Sequence, residues 1–354
     1  MKRDEGRILI VGGAGYIGSH LLKCLNKKAY ATVTLDNLSN GHADAVGSGR
    51  LIVGDMGDMG LIEQLLSSER FEAVMHFASF IQVGESVRNP AAYYHNNFVL
   101  TKQLVDALLR HGIQRFIFSS TAAVYGIPSQ DSLTEEHPCQ PINPYGRSKW
   151  MVEQLLRDYD AAYGLKSVSL RYFNAAGADP DGELGERHDP ETHLIPLALR
   201  AAAGTGAPLT VHGADYPTPD GSCIRDYIHV TDLAEAHALA LQYLLDGGSS
   251  HALNLGNGQG YSVFEILHAI EAVTGHAVPH QIGMRRPGDP ARLVADATLA
   301  QKILGWTPQR SELHTLLTDA WRWETKKAGL QPRLLRDASA SNAQPSKSSV
   351  SRAT

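Results

Sequence analysis

Tyr145 and Lys149 lie four residues apart in the stretch PYGRSK at 144–149. On a helix that spacing puts the two side chains on one face, one turn apart. A free phenol has a pKa near 10 and is a poor base at neutral pH; lowering it by about 3 units requires roughly 4 kcal/mol of differential stabilisation. The lysine ammonium and a second cation in a dry cleft supply that much. Tyr145 then becomes a general base near its operating pH. By itself, a tyrosine four residues before a lysine is most often an exposed ring resting on a lysine stem. Two further features argue for chemistry. The apolar run RFIFSST (115–121) ends in hydroxyls. Thr121 thereby reaches the carboxyl end of a strand, where ligands gather in open α/β sheets, and can hydrogen-bond the same substrate oxygen. A dinucleotide motif also lies upstream.

That motif is GGAGYIG at 12–18. Its glycines at 12, 15 and 18 allow a tight turn, close approach of a pyrophosphate, and close packing of helix on strand. The phosphates then rest on a helix N-terminus, where N–H groups are free and the dipole is positive. Alone, three glycines are weak evidence. Here they follow a strand, open a helix, and precede an acid, Asp36, that ends the next strand. Asp36 can accept hydrogen bonds from the adenosine ribose but would repel a 2′-phosphate. Asn37 and Leu38, which follow, offer no arginine. The expected cofactor is therefore NAD rather than NADP. Asp55, closing a third strand, is placed to contact the adenine or simply to make a turn.

The elements that must position these groups alternate. Strands are predicted at 7–11, 31–36, 50–55, 73–78, 115–121 and 166–173, and helices at 16–28, 96–110 and 145–163, from apolar periodicity and from glycine stops at 112 and 164. Strand–helix alternation means an α/β fold, a doubly wound parallel Rossmann sheet with right-handed crossovers. Beyond about 174 the chain becomes rich in Pro, Gly and Asp. The expected division is a nucleotide-binding domain at 1–175 with a returning segment near 224–257. A smaller α/β substrate-binding domain would comprise 176–223 and 258–330, followed by a disordered tail at 331–354.

The 354 residues are 43% hydrophobic and 19% charged, enough apolar material for a core. A net charge of −5 gives no general attraction to nucleic acid or anionic membranes. No apolar run approaches the roughly 20 residues of a membrane helix. Cys24, Cys139 and Cys223 are too scattered for a disulfide framework or a zinc pattern. The N-terminus has no signal-peptide core, so a cytoplasmic protein is expected. The stretch ELGERHDPETH (183–193) holds four acids and two histidines. With its histidines five apart on a Gly/Pro loop and no cysteine, it fits a solvated loop better than a metal site, and no metal is expected. His76, inside a strand, is expected to be a packed core residue.

Taken together, these residues resemble the extended short-chain dehydrogenase/reductase family, and within it the UDP-glucose 4-epimerases. The stretches that carry the resemblance run from residue 7 to about 310: GGAGYIGSH, LDNLSNG, HFA with VGES, YYHNN, FSSTAAVYG, PYGRSK, RYFNAAGA, DYPTPDG with IRDYIHVTDLA, LNLGNG and RRPGD. The resemblance implies that Tyr145 is the acid/base, Lys149 its partner and a ligand of the nicotinamide ribose, and Thr121 the assisting hydroxyl. It implies cofactor contacts from Gly12, Gly15, Tyr16, Ile17, Asp36, Asn37, Asn40, Asp55, Met56, Phe77, Ala78, Asn97, Ser119 and Tyr172. It places Phe173, Asn174, His193, Leu194, Arg225, Arg286, Asp289 and Leu293 around a UDP-hexose. Arginines suit a diphosphate because they are always charged and bidentate. The implied reaction interconverts UDP-glucose and UDP-galactose through a 4-keto sugar, with NAD kept bound and the enzyme a homodimer joined through the helices starting near Asn96 and Tyr145.

There are departures from the family pattern. Ile81 stands where some relatives have a lysine near the cofactor. His193 replaces an asparagine, and His212 stands where an aromatic can pack on uracil. Leu293 occupies a position that sets room for an N-acetyl group, and its size is intermediate. UDP-N-acetylglucosamine/UDP-N-acetylgalactosamine and UDP-pentose 4-epimerases, as well as uronate-specific ones, remain alternatives, as does a non-catalytic NAD-binding regulator. Nucleotide-sugar dehydratases need an acid pair after the strand threonine, where this chain has Ala122-Ala123.

Overall fold

The computed structural model describes residues 6–47, 49–286 and 289–330. The expected tail at 331–354 lies outside the described residues, as do Pro287 and Gly288 of the RRPGD stretch.

The first half of the chain runs β1 (Arg7–Val11), α1 (Tyr16–Lys27), β2 (Thr32–Asp36), β3 (Arg50–Val53), α2 (Met59–Ser68), β4 (Phe71–His76), α3 (Val83–Arg88), α4 (Pro90–Tyr94), α5 (Thr101–Arg110), β5 (Arg115–Thr121), α6 (Pro144–Tyr163) and β6 (Lys166–Tyr172). The second half adds β7 (Asn174–Ala176), α7 (Leu194–Ala202), β8 (Leu209–His212), β9 (Ile224–His229), α8 (Val230–Leu245), β10 (His251–Leu255), β11 (Gly260–Ser262), α9 (Val263–Thr274), β12 (His280–Gly283), β13 (Arg292–Leu293), α10 (Thr298–Leu304) and α11 (Leu313–Lys327).

Seven strands form one sheet in the order β10-β6-β5-β4-β1-β2-β3, and every pairing in it is parallel. Its strands are nearly unbroken apolar runs because both faces are covered. On one face Leu21 and Leu25 of α1 and Leu241 of α8 are fully buried with Ile8 and Ile10. On the other, Leu65 of α2, Leu104 of α5 and Val152 of α6 pack with Leu9, Val11 and Phe116. Winding goes outward from β1 through β2 to β3 and then returns to β4 on the other side of β1. That reversal opens a crevice at the carboxyl ends of β1 and β4.

β7, β9, β11 and β13 make a second sheet, and β12 pairs with β8. Beside them α7, α9 and α11 bury Leu199, Ile270 and Leu316 in a core of their own. Within 224–257, α8 packs in the core of the first sheet and β10 pairs with β6 at its edge, whereas β9 pairs in the second sheet.

Predicted and observed elements agree to within a few residues in β1–β6 and α6. The helix expected at 96–110 differs. The chain is already helical at Pro90, capped by the Asn89 side chain, and passes through a π-helical turn at His95–Leu100 before α5. A π turn widens the helix by one residue and is common at functional sites. Here it contains Asn97, which is fully buried.

Candidate active site

Asn143 caps α6. Its side chain accepts from the Gly146 N–H at 2.8 Å, and Pro144 takes the first helical position, where no N–H is needed. The first turn of α6 presses on the short 3-10 turn Ala122–Val124 that follows β5. A Cβ on Gly146 would stand 2.5 Å from the Ala123 carbonyl oxygen, so only glycine permits this approach. The close approach brings Tyr145 of α6 to Thr121 of β5, whose hydroxyl accepts from the Ala123 N–H at 3.1 Å and favours the Tyr145 phenolate.

Lys149, one turn on, is 1% exposed. Its Nζ donates to Ser79 Oγ at 2.8 Å and to the Ser119 carbonyl at 2.7 Å, and lies 4.8 Å from the centre of the Phe118 ring. Burial pulls its pKa from 10.5 down to about 7, opposed by the Glu153 carboxylate. Tyr145 does not follow the sequence-based expectation in the protein alone. Burial holds its phenol above the ordinary value, and only the Thr121 hydrogen bond pulls it down. The ammonium is committed to Ser79 and Ser119, so it does not activate the phenol by itself.

Behind this pair lies a network that the sequence reading missed. Glu153, a further turn along α6, accepts from Arg171 Nε at 3.0 Å and from the Ser120 hydroxyl. The Arg171 and Glu153 side chains are 3% and 4% exposed. Arg171 also donates to the Tyr125 hydroxyl at 3.0 Å, which donates to Asn254 at 2.6 Å. The network ties α6, β5, β6 and β10 together beneath Tyr145 and Lys149. Its signal in the sequence was the four-residue step from Lys149 to Glu153, which puts both on one helix face.

The dinucleotide end is a cradle with no room to spare. Gly12 has φ +82°, and a Cβ there would lie 2.5 Å from the Ala78 amide nitrogen and 2.8 Å from the Phe77 carbonyl carbon. A Cβ on Gly18 would lie 2.5 Å from the Gly12 carbonyl oxygen. Gly15 is different, because its Cβ direction meets nothing closer than 3.5 Å. Gly15 is also the N-cap of α1 and has no side-chain cap. The first N–H groups of α1, at Tyr16 and Ile17, therefore suit a pyrophosphate. Asp36, 7% exposed, accepts from the Ala14 N–H at 2.9 Å and from the Leu38 N–H at 2.8 Å, one on each oxygen. Each oxygen keeps a lone pair for a ribose hydroxyl. The residues present fit NAD.

Asn37 donates to Asp55 at 2.7 Å, Met56 is buried beside His76, and Asn40 is exposed beyond them. Phe77 packs against His237, with ring centroids 4.9 Å apart, and Ser119 hydrogen-bonds the Tyr172 hydroxyl. Asn97 serves the scaffold: its side chain accepts from Phe80 N–H at 2.8 Å and donates to Phe80 carbonyl at 3.0 Å and to Ser148 Oγ at 3.2 Å. Tyr16 turns its hydroxyl to the Gly177 carbonyl at 2.7 Å, linking the two halves. His76 is fully buried, contacts Met56 and Thr101, and is pulled down to about 3 by burial, as befits a core residue.

Across the crevice, Asn174 donates to the Asp226 carbonyl at 3.0 Å. Arg225 pairs with Asp289, and Leu293 is in register with Arg225. Phe173 and Leu293 pack against the same small cluster around Tyr125 and Leu133. His193 is the N-cap of α7, and Leu194 its first residue. Arg286 is exposed, as is Ile81 at the other end of the cleft, and His212 is half-buried at the end of β8.

Residues 8–256, most of the chain, match one family across both the glycine motif and the Tyr/Lys pair. The chain belongs to the NAD dependent epimerase/dehydratase family. NAD is accordingly its cofactor. Within that family the similarity is close. The UDP-glucose 4-epimerase of Rhizobium meliloti (strain 1021) is 52% identical over 326 residues, which is 92% of this chain and 98% of the relative. A solved structure of UDP-glucose 4-epimerase from Brucella ovis in complex with NAD is 50% identical, with a TM-score of 0.89, covering 93% of this chain and 100% of that one. The UDP-glucose 4-epimerase from Bifidobacterium longum in complex with NAD+ and UDP is 38% identical, with a TM-score of 0.87, covering 91% of this chain and 99% of that one.

Proposed function

We propose that this chain interconverts UDP-glucose and UDP-galactose, by oxidation at C4 to a 4-keto sugar and reduction on the opposite face. The observation that carries this reading is the Tyr145–Thr121 hydroxyl pair beside the buried Lys149, at the carboxyl end of β5. NAD, when bound, supplies the hydride acceptor and donor and adds a positive charge beside the phenol. Tyr145 takes the proton of the 4-hydroxyl as C4 is oxidised, and Thr121 holds the same oxygen. Lys149, pinned by Ser79 and Ser119, would hold the nicotinamide ribose and supply positive charge near the phenolate. After the keto sugar turns about its diphosphate bonds, Tyr145 returns the proton to the oxygen on the other face.

The diphosphate is held by Arg225 and Arg286 and by the α7 N-terminus at His193 and Leu194, with Asp289 orienting Arg225. Phe173, Asn174 and Leu293 line the sugar pocket. Binding energy is thus concentrated on UDP, remote from C4, and leaves the sugar free to turn. The enzyme acts in the cytoplasm as a homodimer built on α5 and α6; a monomeric mass in light scattering would remove the dimer from this reading. Among the described residues no helix is long and apolar enough to cross a membrane.

Purified enzyme given UDP-galactose without added NAD should form UDP-glucose, and Tyr145→Phe should slow this about 100- to 10,000-fold while retaining bound NAD. A Tyr145→Phe enzyme with most of its rate would overturn the assignment.

A further inference from the structure

The loop between β7 and α7 contains the repeat Glu-x-His-x-x-Glu-x-His, residues 186, 188, 191 and 193. Its sequence alone reads as a solvated loop, but the fold turns it inward. Glu186 is 5% exposed, and the Glu191 side chain only 2%. One oxygen or nitrogen from each of the four side chains lies within 4.8 Å of the other three.

The pairwise distances have the pattern of ligands around a point. His188 Nδ1 is 3.0 Å from Glu186 Oε1 and 3.9 Å from Glu191 Oε1. His193 Nδ1 is 2.7 Å from Glu186 Oε1 and 3.1 Å from Glu191 Oε1. A tetrahedral ion with bonds of about 2.0–2.1 Å has ligand–ligand edges of about 3.3 Å, and the four distances bracket that value. His193 Nδ1 sits against two carboxylates at once, and as an imidazolium it is the cation between them. A divalent ion would take that place, satisfy both carboxylates and release the ring proton. Glu191 Oε2 is buried with no hydrogen-bond partner, the nearest cation, Arg200, standing 3.6 Å away.

We propose that Glu186, His188, Glu191 and His193 bind one zinc ion in a closed structural site. Two carboxylates and two neutral imidazoles make a neutral complex with Zn²⁺, which suits partial burial, and the mixed N/O set favours zinc over magnesium or calcium. The ion would sit where α1, α7 and α11 come together. Its ligand His193 caps α7, the His188 ring stands edge-on to Tyr16 of α1 at 6.3 Å, and Trp323 of α11 donates to the Glu186 carbonyl at 3.1 Å. Zinc therefore holds the start of α7 against both halves of the molecule.

The test counts metal and reads folding, so it stands apart from the sugar assignment. Untagged enzyme purified without chelator should carry about one zinc per chain by elemental analysis. Stripping the ion should lower the melting temperature by about 5 °C or more, and one equivalent of zinc, but not of magnesium, should restore it. Cobalt(II) added to stripped enzyme should give the intense visible bands of tetrahedral coordination. His188→Ala and Glu191→Gln, checked for retained NAD and native circular dichroism, should each lose most of the zinc. The proposal fails if wild-type enzyme takes up no zinc when given an equivalent, if cobalt gives only the weak octahedral spectrum of surface binding, or if the folded variants keep wild-type zinc content.

Discussion

Lys149 is an ammonium kept out of water. Its pKa falls from 10.5 to about 7 in the fold, first through burial. Between those values the unfolded chain binds a proton that the folded chain does not, so this group makes stability rise with pH from 7 towards 10. Below pH 7 both states are protonated and the contribution is flat. Urea unfolding of wild type relative to Lys149→Met should show that rise, and a constant difference across pH 7–10 would refute it. Thr121→Val keeps the shape but loses the hydroxyl that touches Tyr145. It should lower kcat about 10- to 100-fold and leave the UDP-sugar KM nearly unchanged, because the lost bond acts at the reacting oxygen. Tyr145, Lys149, Thr121 and Asp36 were legible as residue types at set spacing. Ser79 was not, since it meets Lys149 only after β4 and α6 have docked. The raised pKa of Tyr145 was hidden for the same reason, because burial is a property of the packed cleft.

At the scale of elements, the contact of α6 with the turn after β5 decides whether Tyr145 and Thr121 meet. Gly146→Ala places a methyl 2.5 Å from a backbone oxygen that has nowhere to go. The helix must move, and a shift near 1 Å at reacting groups costs about 100-fold. Steady-state kinetics should show kcat down by about 10- to 100-fold with NAD still bound, whereas unchanged kcat would mean that the turn yields instead. Glu153→Ala leaves the Arg171 guanidinium buried without its carboxylate. That should destabilise by about 3–5 kcal/mol in chemical denaturation, mostly through the stranded charge. Strands and long helices were legible because apolar period and glycine stops coincide. The π turn at His95–Leu100 was not, because one extra residue per turn leaves an apolar pattern that looks like an ordinary helix beginning late.

Over the whole molecule the chain crosses between its halves more than once. After β9 has joined the second sheet, α8 packs on α1 and β10 pairs with β6 at the edge of the first. Asp226 of β9 also accepts from the Asn257 N–H at 2.8 Å, just past β10, and from the Ala295 N–H at 3.1 Å, just past β13. Calorimetry should therefore record one cooperative transition. Two resolved transitions would show that the halves unfold separately. A returning segment near 224–257 is expected from the sequence, but the alternation does not reveal which strand pairs with which sheet, because β9 and β10 have similar apolar character and only their pairing partners differ.

The crossing also limits exchange between relatives. One cassette running from β7 to the C-terminus would exchange α8 and β10 as well, so the host's α1 and β6 would have to pack against a donor's helix and edge strand. A working chimera needs two inserts, one before α8 and one after β10, with the host keeping its own 230–255 between them.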